Sequence, residues 1–248
     1  YRGGGRSSGR ETIGRVAAGA VAKKILAQLG ISVNAYSKEI AGVAIDYNRF
    51  NLSQMSENPF NMPDEQAAAE VEKRAQEIMN KGDSVGGIVE CVITGVMPGI
   101  GEPVFDKLSS TLAKAVTSIG AVKGFEIGDG FEVAKATGLS NNDAFAMKDG
   151  RVVKKTNHAG GILGGMSDGS DIVFRAAFKP TPSITSIQDT VNKNGEEIEV
   201  SIKGRHDPMI VPRAVVVVEA MAAIALVDQI FENMTARMDR IVDFYKNI

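Results

Sequence analysis

Tyr1-Arg-Gly-Gly-Gly-Arg-Ser-Ser-Gly-Arg10 runs without a break into Glu11-Thr12 and a helical pattern. Gly3, Gly4 and Gly5 let the backbone bend close to a ligand. Ser7, Ser8 and the guanidiniums of Arg2, Arg6 and Arg10 stand beside them. A glycine-rich turn that opens a helix exposes unpaired N–H groups at the positive end of the helix dipole, which makes an anion site. Arginine adds planar, bidentate recognition of phosphate or carboxylate. A flexible basic tail is the competing reading of the same residues. Spacing alone leaves both open.

The helix predicted after this turn covers residues 11–29, with Ile13, Val16, Ala17, Ala20, Val21 and Ile25 at helical spacing and Gly30 as its stop. Ile31 to Ala35 alternates as a strand. Residues 46–63 carry Asn58-Pro59 and Met62-Pro63 and read as loop. Asp64 is placed to cap a helix over 65–81, whose apolar face is Ala68, Val71, Ala75 and Ile78. Val85 to Val96 is rich in β-branched residues and predicts a strand. Pro98 to Pro103 is a tight turn, and Val104, Leu108, Leu112, Val116 and Ile119 step along a helix. Ala121–Ile127 and Phe131–Ala136 are short strand candidates, and 140–151 reads as polar loop. Ile172, Phe174, Ala176 and Phe178 alternate into a strand. Asn194-Gly195 between two β-rich runs is a hairpin signal. From Arg213 a long helix follows whose first half is apolar all round, which predicts burial.

Helices and strands in mixed, non-alternating order predict an α+β fold rather than a parallel doubly wound sheet. The 248 residues are 44% hydrophobic and 23% charged, with no Pro/Ser-rich linker, so a single domain over 1–248 is expected. A net charge of −2 gives no bulk attraction to nucleic acid. One cysteine, Cys91, excludes an internal disulfide and fits a reducing compartment; with two histidines it makes a zinc site improbable. The longest apolar run, Ala214 to Val227, is interrupted by Glu219 and is too short to span a bilayer. The chain begins at tyrosine inside a dense motif, so a further segment is expected before Tyr1.

No Walker loop, Rossmann fingerprint or HExxH occurs. Chemistry is left to four punctuated stretches: 1–10, 157–165, 179–183 and 205–207. Lys179-Pro-Thr-Pro-Ser183 offers an ammonium and two hydroxyls on a stiffened backbone, or else a plain strand-ending turn. The glycines of 160–165 would let a flat ring lie on bare backbone, or form a mobile loop. Arg205-His206-Asp207 sets a cation beside a carboxylate, which is also what a local ion pair looks like. His158 alone reads as a hydrogen-bonded structural histidine, Glu219 as paired or buried neutral, and Cys91 as core.

Taken in order, these stretches resemble chorismate synthase. The residues that carry the resemblance are Tyr1 to Ser8, Arg10-Glu-Thr12 and Arg15 to Ala20, then Gly101-Glu-Pro-Val-Phe-Asp106, Val122-Lys-Gly124, Glu126 to Phe131, Asn157 to Gly165, Phe178 to Ile184, Arg205-His-Asp-Pro208, and Pro212-Arg-Ala214 with Glu219-Ala-Met221. They span nearly the whole chain. The resemblance implies a β-α-β sandwich with helices between antiparallel sheets, and a cytoplasmic homotetramer. It implies 1,4-anti elimination of phosphate from 5-enolpyruvylshikimate 3-phosphate to give chorismate, as the last step of the shikimate pathway. Reduced FMN is required without net redox change, and NADPH is a candidate reductant.

By motif position, Arg6, Ser7, Ser8, Gly120, Ala121, Gly164, Lys179, Pro180, Thr181, Pro182, Ser183 and Arg205 would contact FMN. Arg10 and Arg205 would bind substrate. Asp207, which would manage the flavin N5 proton, and Ser8 are the candidate catalytic residues. Two departures stand out. Position 120 is glycine where asparagine is expected in many relatives. The family's opening segment, with two acid/base histidines, has no counterpart here, and neither His158 nor His206 occupies those motif positions. The polypeptide alone is therefore expected to be inactive. The alternative is a non-catalytic flavin- or phosphate-binding assembly module.

Overall fold

The computed structural model describes residues 5–202 and 207–247. Two short 3-10 turns, Gly5–Ser7 and Gly9–Glu11, lead into α1 (Thr12–Gln28). There follow β1 (Ser32–Ile40), β2 (Val43–Ala44), α2 (Glu65–Asn80), β3 (Gly87–Thr94), α3 (Leu108–Thr117) and β4 (Val122–Ile127). Then come β5 (Phe145–Lys148), β6 (Arg151–Lys154), β7 (Ile162–Leu163), β8 (Met166–Ser167), β9 (Ile172–Phe178), β10 (Gln188–Val191), β11 (Glu197–Val200), α4 (Val211–Met234) and α5 (Met238–Lys246). The fold is α+β. A five-stranded sheet has the order β2-β1-β3-β9-β4, and β5-β6, β7-β8 and β10-β11 are hairpins. Gly87 lies against Glu39 while Gly95 lies against Gly30, so β3 runs antiparallel to β1. The chain divides into two compact units: 1–35 with 90–176 and 216–248, and 36–89 with 177–215.

Local signals account for most elements. Asp64 caps α2, accepting from the N–H groups of Gln66 (3.1 Å) and Ala67 (3.3 Å). Its carboxylate is 1% exposed and also takes the guanidinium of Arg49, 2.7 Å from Nη2, and the N–H of Asp46. That one buried acid organises the preceding stretch, which is therefore not plain loop: it forms 3-10 turns over Tyr47–Arg49 and Leu52–Ser56. Ala68, Val71 and Ala75 of α2 are buried as their spacing requires. Leu108, Leu112 and Val116 do the same for α3, but Val104 stays exposed outside the helix. Ile172, Phe174, Ala176 and Phe178 alternate inward along β9, and Cys91 lies in the core of β3.

Several expectations are corrected. The buried face of α1 is Gly19, Ala22 and Leu26, whereas Ile13 and Val21 are exposed. The reason is a close helix crossing: a Cβ on Gly19 would stand 2.3 Å from Cβ of Ala220 in α4, so only bare backbone fits there. The first strand runs five residues beyond Ala35, because Glu39 and Ile40 pair with Ala44 and Val43. Phe131–Ala136 is not a strand. Gly130–Lys135 is a 3-10 turn, and the Glu126 carboxylate accepts the N–H of Phe131 (3.3 Å). Residues 140–151 are not all loop, since β5 and β6 pair with Lys148 opposite Arg151. Asp149 and Gly150 both take positive φ (52° and 74°), the two-residue turn that Asp-Gly favours.

The Asn194-Gly195 hairpin forms as read, with Thr190 opposite Ile198. The apolar run at 214–227 belongs to a 24-residue helix that is long and apolar enough to cross a membrane, yet 67% of its most apolar window is buried inside the protein. That is the behaviour of a core helix.

Candidate active site

The opening turn is a built structure. Ser8 sits in extended backbone and caps the second 3-10 turn. Its Oγ accepts from both the N–H (3.3 Å) and Nε (3.1 Å) of Arg10. Two acceptor positions are thereby used, which leaves the hydroxyl hydrogen to donate. Thr12 Oγ1 donates to the carbonyl of Gly9 at 2.6 Å and closes the turn onto α1. Arg6, Ser7 and Arg10 are exposed along it.

Arg15 ties this turn to a distant part of the same unit. Its Nε and Nη2 meet the two carboxylate oxygens of Glu11 at 3.2 and 3.1 Å. Its Nη1 donates to Ser118 Oγ at 2.7 Å. Ser118 begins the turn that carries Gly120 and Ala121. Ala121 holds φ at 72°, an uncommon backbone for a residue with a side chain. A Cβ on Gly120 would meet nothing within 4 Å among the described residues, so its backbone faces open space there.

Gly164 lies in the β7-β8 turn, lining a cleft of about 630 Å³ with Lys107, Asn141 and His158. Gly164 and Gly165 both take positive φ (61° and 94°) between Leu163 and Met166, and the Cβ position of Gly164 is open. The loop leading there is heavily anchored. His158 Nδ1 lies 2.5 Å from Asp129 Oδ2, so its imidazole is hydrogen-bonded, as the residue type suggested. Asp143 accepts from Thr156 Oγ1 (2.7 Å), His158 N (2.7 Å) and Ala159 N (3.0 Å). Lys154, 5% exposed, pairs with Asp168 and approaches Asp143 at 3.6 Å. Burial pushes the Asp143 carboxyl up, but the N–H of Ala159, the hydroxyl of Thr156, the N–H of His158 and the Lys154 charge outweigh it and hold the group at about 2.

In the other unit, β9 leads into Lys179-Pro-Thr-Pro-Ser183. Ser84 Oγ donates to the carbonyl of Thr181 at 2.6 Å. Gly86 allows the approach: a Cβ there would sit 2.3 Å from the carbonyl oxygen of Phe178 and 3.2 Å from Cδ of Pro180. Thr181 Oγ1 is buried with no hydrogen-bond partner among the described residues. On the far side of this strand entry, Val85 N–H donates to the carbonyl of Pro208 at 2.9 Å. Asp207 therefore lies next to the same segment, its carboxylate taken by Arg213 Nε (3.0 Å) and Met209 N–H (3.3 Å). Arg205 and His206, like Arg2, lie outside the described residues.

Glu219 is paired rather than free, holding Lys23 and accepting the N–H of Ala35 at 3.0 Å. Sequence reasoning gave no role to Arg15, Ser84, Asp129 or the Lys154 cluster. Arg15 and Asp129 stand inside quoted motifs, but only their contacts distinguish them. Asp143 and Lys154 carry no local signal at all.

A family model described as chorismate synthase matches residues 1–231. A chorismate synthase of Lachnospira eligens is 69% identical over 246 residues, 99% of this chain and 67% of the relative. One from Agathobacter rectalis is 62% identical over 248 residues, 100% of this chain and 68% of the relative. A crystal structure of a chorismate synthase aligns with a TM-score of 0.77 and 29% identity, covering 97% of this chain and 69% of that one.

Proposed function

The chain belongs to the chorismate synthase family, and we propose from that premise which of its residues carry the reaction. The activity is that of a carbon–oxygen lyase of the shikimate pathway, which eliminates phosphate from a phosphorylated small molecule, 5-enolpyruvylshikimate 3-phosphate, to give chorismate. The family's cofactor is reduced FMN. Its fit to this chain rests on two features: the buried, unpartnered Thr181 Oγ1 and the open space at Gly120 and Gly164. A hydroxyl without a partner costs free energy unless a ligand completes it. Bound there, reduced FMN would supply electron density for cleavage of the carbon–oxygen bond.

Arg6, Ser7 and Ser8, Gly120, Ala121, Gly164, Lys179, Pro180, Thr181, Pro182, Ser183 and Arg205 hold the flavin in this reading. Arg10 and Arg205 bind the substrate's anionic groups, where negative charge accumulates as phosphate leaves. Asp207 manages the proton, and Arg213 and the Met209 N–H orient its carboxylate. Ser8 fixes Arg10 through its oxygen and keeps a hydrogen to donate. The same reading takes a cytoplasmic homotetramer, with NADPH as the reductant of its flavin.

Thr181 Oγ1 is the observation that carries the flavin assignment. The test is a fluorescence titration of FMN into the protein, with and without substrate. Saturable quenching that tightens with substrate is expected, and Thr181→Val should weaken it about tenfold. Equal titrations of the wild type and Thr181→Val would remove the assignment.

A further inference from the structure

Arg15 lies on α1 one turn beyond the Ser8–Arg10 stretch, yet its guanidinium reaches Ser118, 103 residues away, and Met221, 206 residues away. Its guanidinium is shared between two anchors. Nε and Nη2 grip both oxygens of Glu11, and Nη1 reaches Ser118 Oγ and, at 3.9 Å, the sulfur of Met221 on α4. Ser118 spends its own hydrogen on the carbonyl of Ala115 at 2.6 Å, so its oxygen is committed to accepting from Arg15. The residues that follow form a turn closed by Val122 N–H to the carbonyl of Ile119 (3.3 Å), with Ala121 at φ 72°. Left-handed backbone at a residue with a Cβ persists only where its surroundings hold it. A rigid bidentate fork is suited to holding, whereas a lysine would bond one point only.

We propose that Arg15 is a positioning residue: it locks the Ser118–Ala121 turn to the opening turn of α1, so that the exposed backbone of Gly120 and the side chains of Arg6 to Ser8 are presented to one ligand. This rests on the reading that both stretches contact FMN. Arg15 touches neither cofactor nor substrate in this role. It acts through Glu11 and Ser118.

The test uses the enzyme and four variants: Arg15→Gln, Arg15→Lys, Ser118→Ala and the Gln/Ala double. FMN affinity, substrate KM and thermal midpoint are measured on each. Arg15→Gln is expected to weaken FMN about tenfold with a smaller change in KM. Ser118→Ala should reproduce part of that loss, the double variant should be no worse than Arg15→Gln, and lysine should rescue partially. Ser118→Ala and Arg15→Lys keep the test decisive if Arg15→Gln does not fold. Gly120→Trp fills the open space at the turn and so separates flavin binding there from the role of Arg15. Unchanged FMN affinity in Gly120→Trp overturns the flavin reading of this turn, and the inference with it. Weakened affinity there, with wild-type affinity in folded Arg15 and Ser118 variants, overturns the role of Arg15 alone. Full additivity of the two losses, or a loss of thermal midpoint without loss of FMN affinity, also overturns it.

Discussion

Nε of Arg213 lies 3.0 Å from Oδ2 of Asp207. The other oxygen, Oδ1, accepts the N–H of Met209 at 3.3 Å. Both oxygens of this carboxylate are therefore oriented, at the point where the chain enters α4. Arg213 stands six residues after Asp207, on the first turn of the helix. A carboxylate held in this way has a fixed direction in which to hold or release a proton.

Asp207→Asn keeps the shape and the Met209 contact but removes the proton-accepting charge. Turnover should fall about 100-fold or more, the scale of general acid–base contributions, while FMN affinity changes only a few-fold. Arg213→Gln should lower turnover less. Chorismate formation followed by absorbance measures both, and an unchanged rate in Asp207→Asn rules out the proposed role.

Gly86→Ala tests the proposed flavin role of residues 179–183. The added methyl would meet the Phe178 carbonyl at 2.3 Å and Pro180 at 3.2 Å, so 179–183 must shift. FMN affinity should fall at least about tenfold, with a destabilisation of roughly 1–3 kcal/mol from overpacking. Fluorescence titration and thermal melting report the two effects separately.

Gly19→Val tests the helix crossing. A Cβ at this position would lie 2.3 Å from the Ala220 side chain and 2.5 Å from its Cα, and neither belongs to a flexible chain end. Helices α1 and α4 must move apart, at a cost of about 3 kcal/mol. Chemical denaturation should show a lower midpoint with an unchanged slope.

Asp143 gives a prediction in pH. Its carboxyl is held at about 2 in the folded protein, below the usual carboxylate range. Its contribution is thus fully present above about pH 4–5 and is lost as pH falls toward 2, where the folded form also protonates. The difference amounts to roughly 2 kcal/mol. Asp143→Asn should lower stability at neutral pH by about that amount and flatten the acid limb of a stability–pH curve. Parallel wild-type and variant curves between pH 5 and 2 would exclude this contribution.

Much of this protein is written in residues close together along the chain. Asp64 caps α2, Asn194-Gly195 folds a hairpin, and the alternation of Ile172 to Phe178 buries one face of β9, because caps, turns and periodicity act within a few residues. The ordered motifs that mark the family are local in the same sense. Other features had no local signal. Gly19 turned the buried face of α1 away from Ile13 and Val21, because a close helix crossing favours the smallest residue over the most apolar. The Asp149-Gly150 turn was legible but obscured by the polar residues around it. Sequence alone thus determined the family, the α+β class and most of the long helices and strands. Tertiary structure decided that Asp207 faces Arg213, that Arg15 reaches Ser118, and that Asp143 carries the His158 loop. Those contacts depend on distances between residues that only the packed chain brings together.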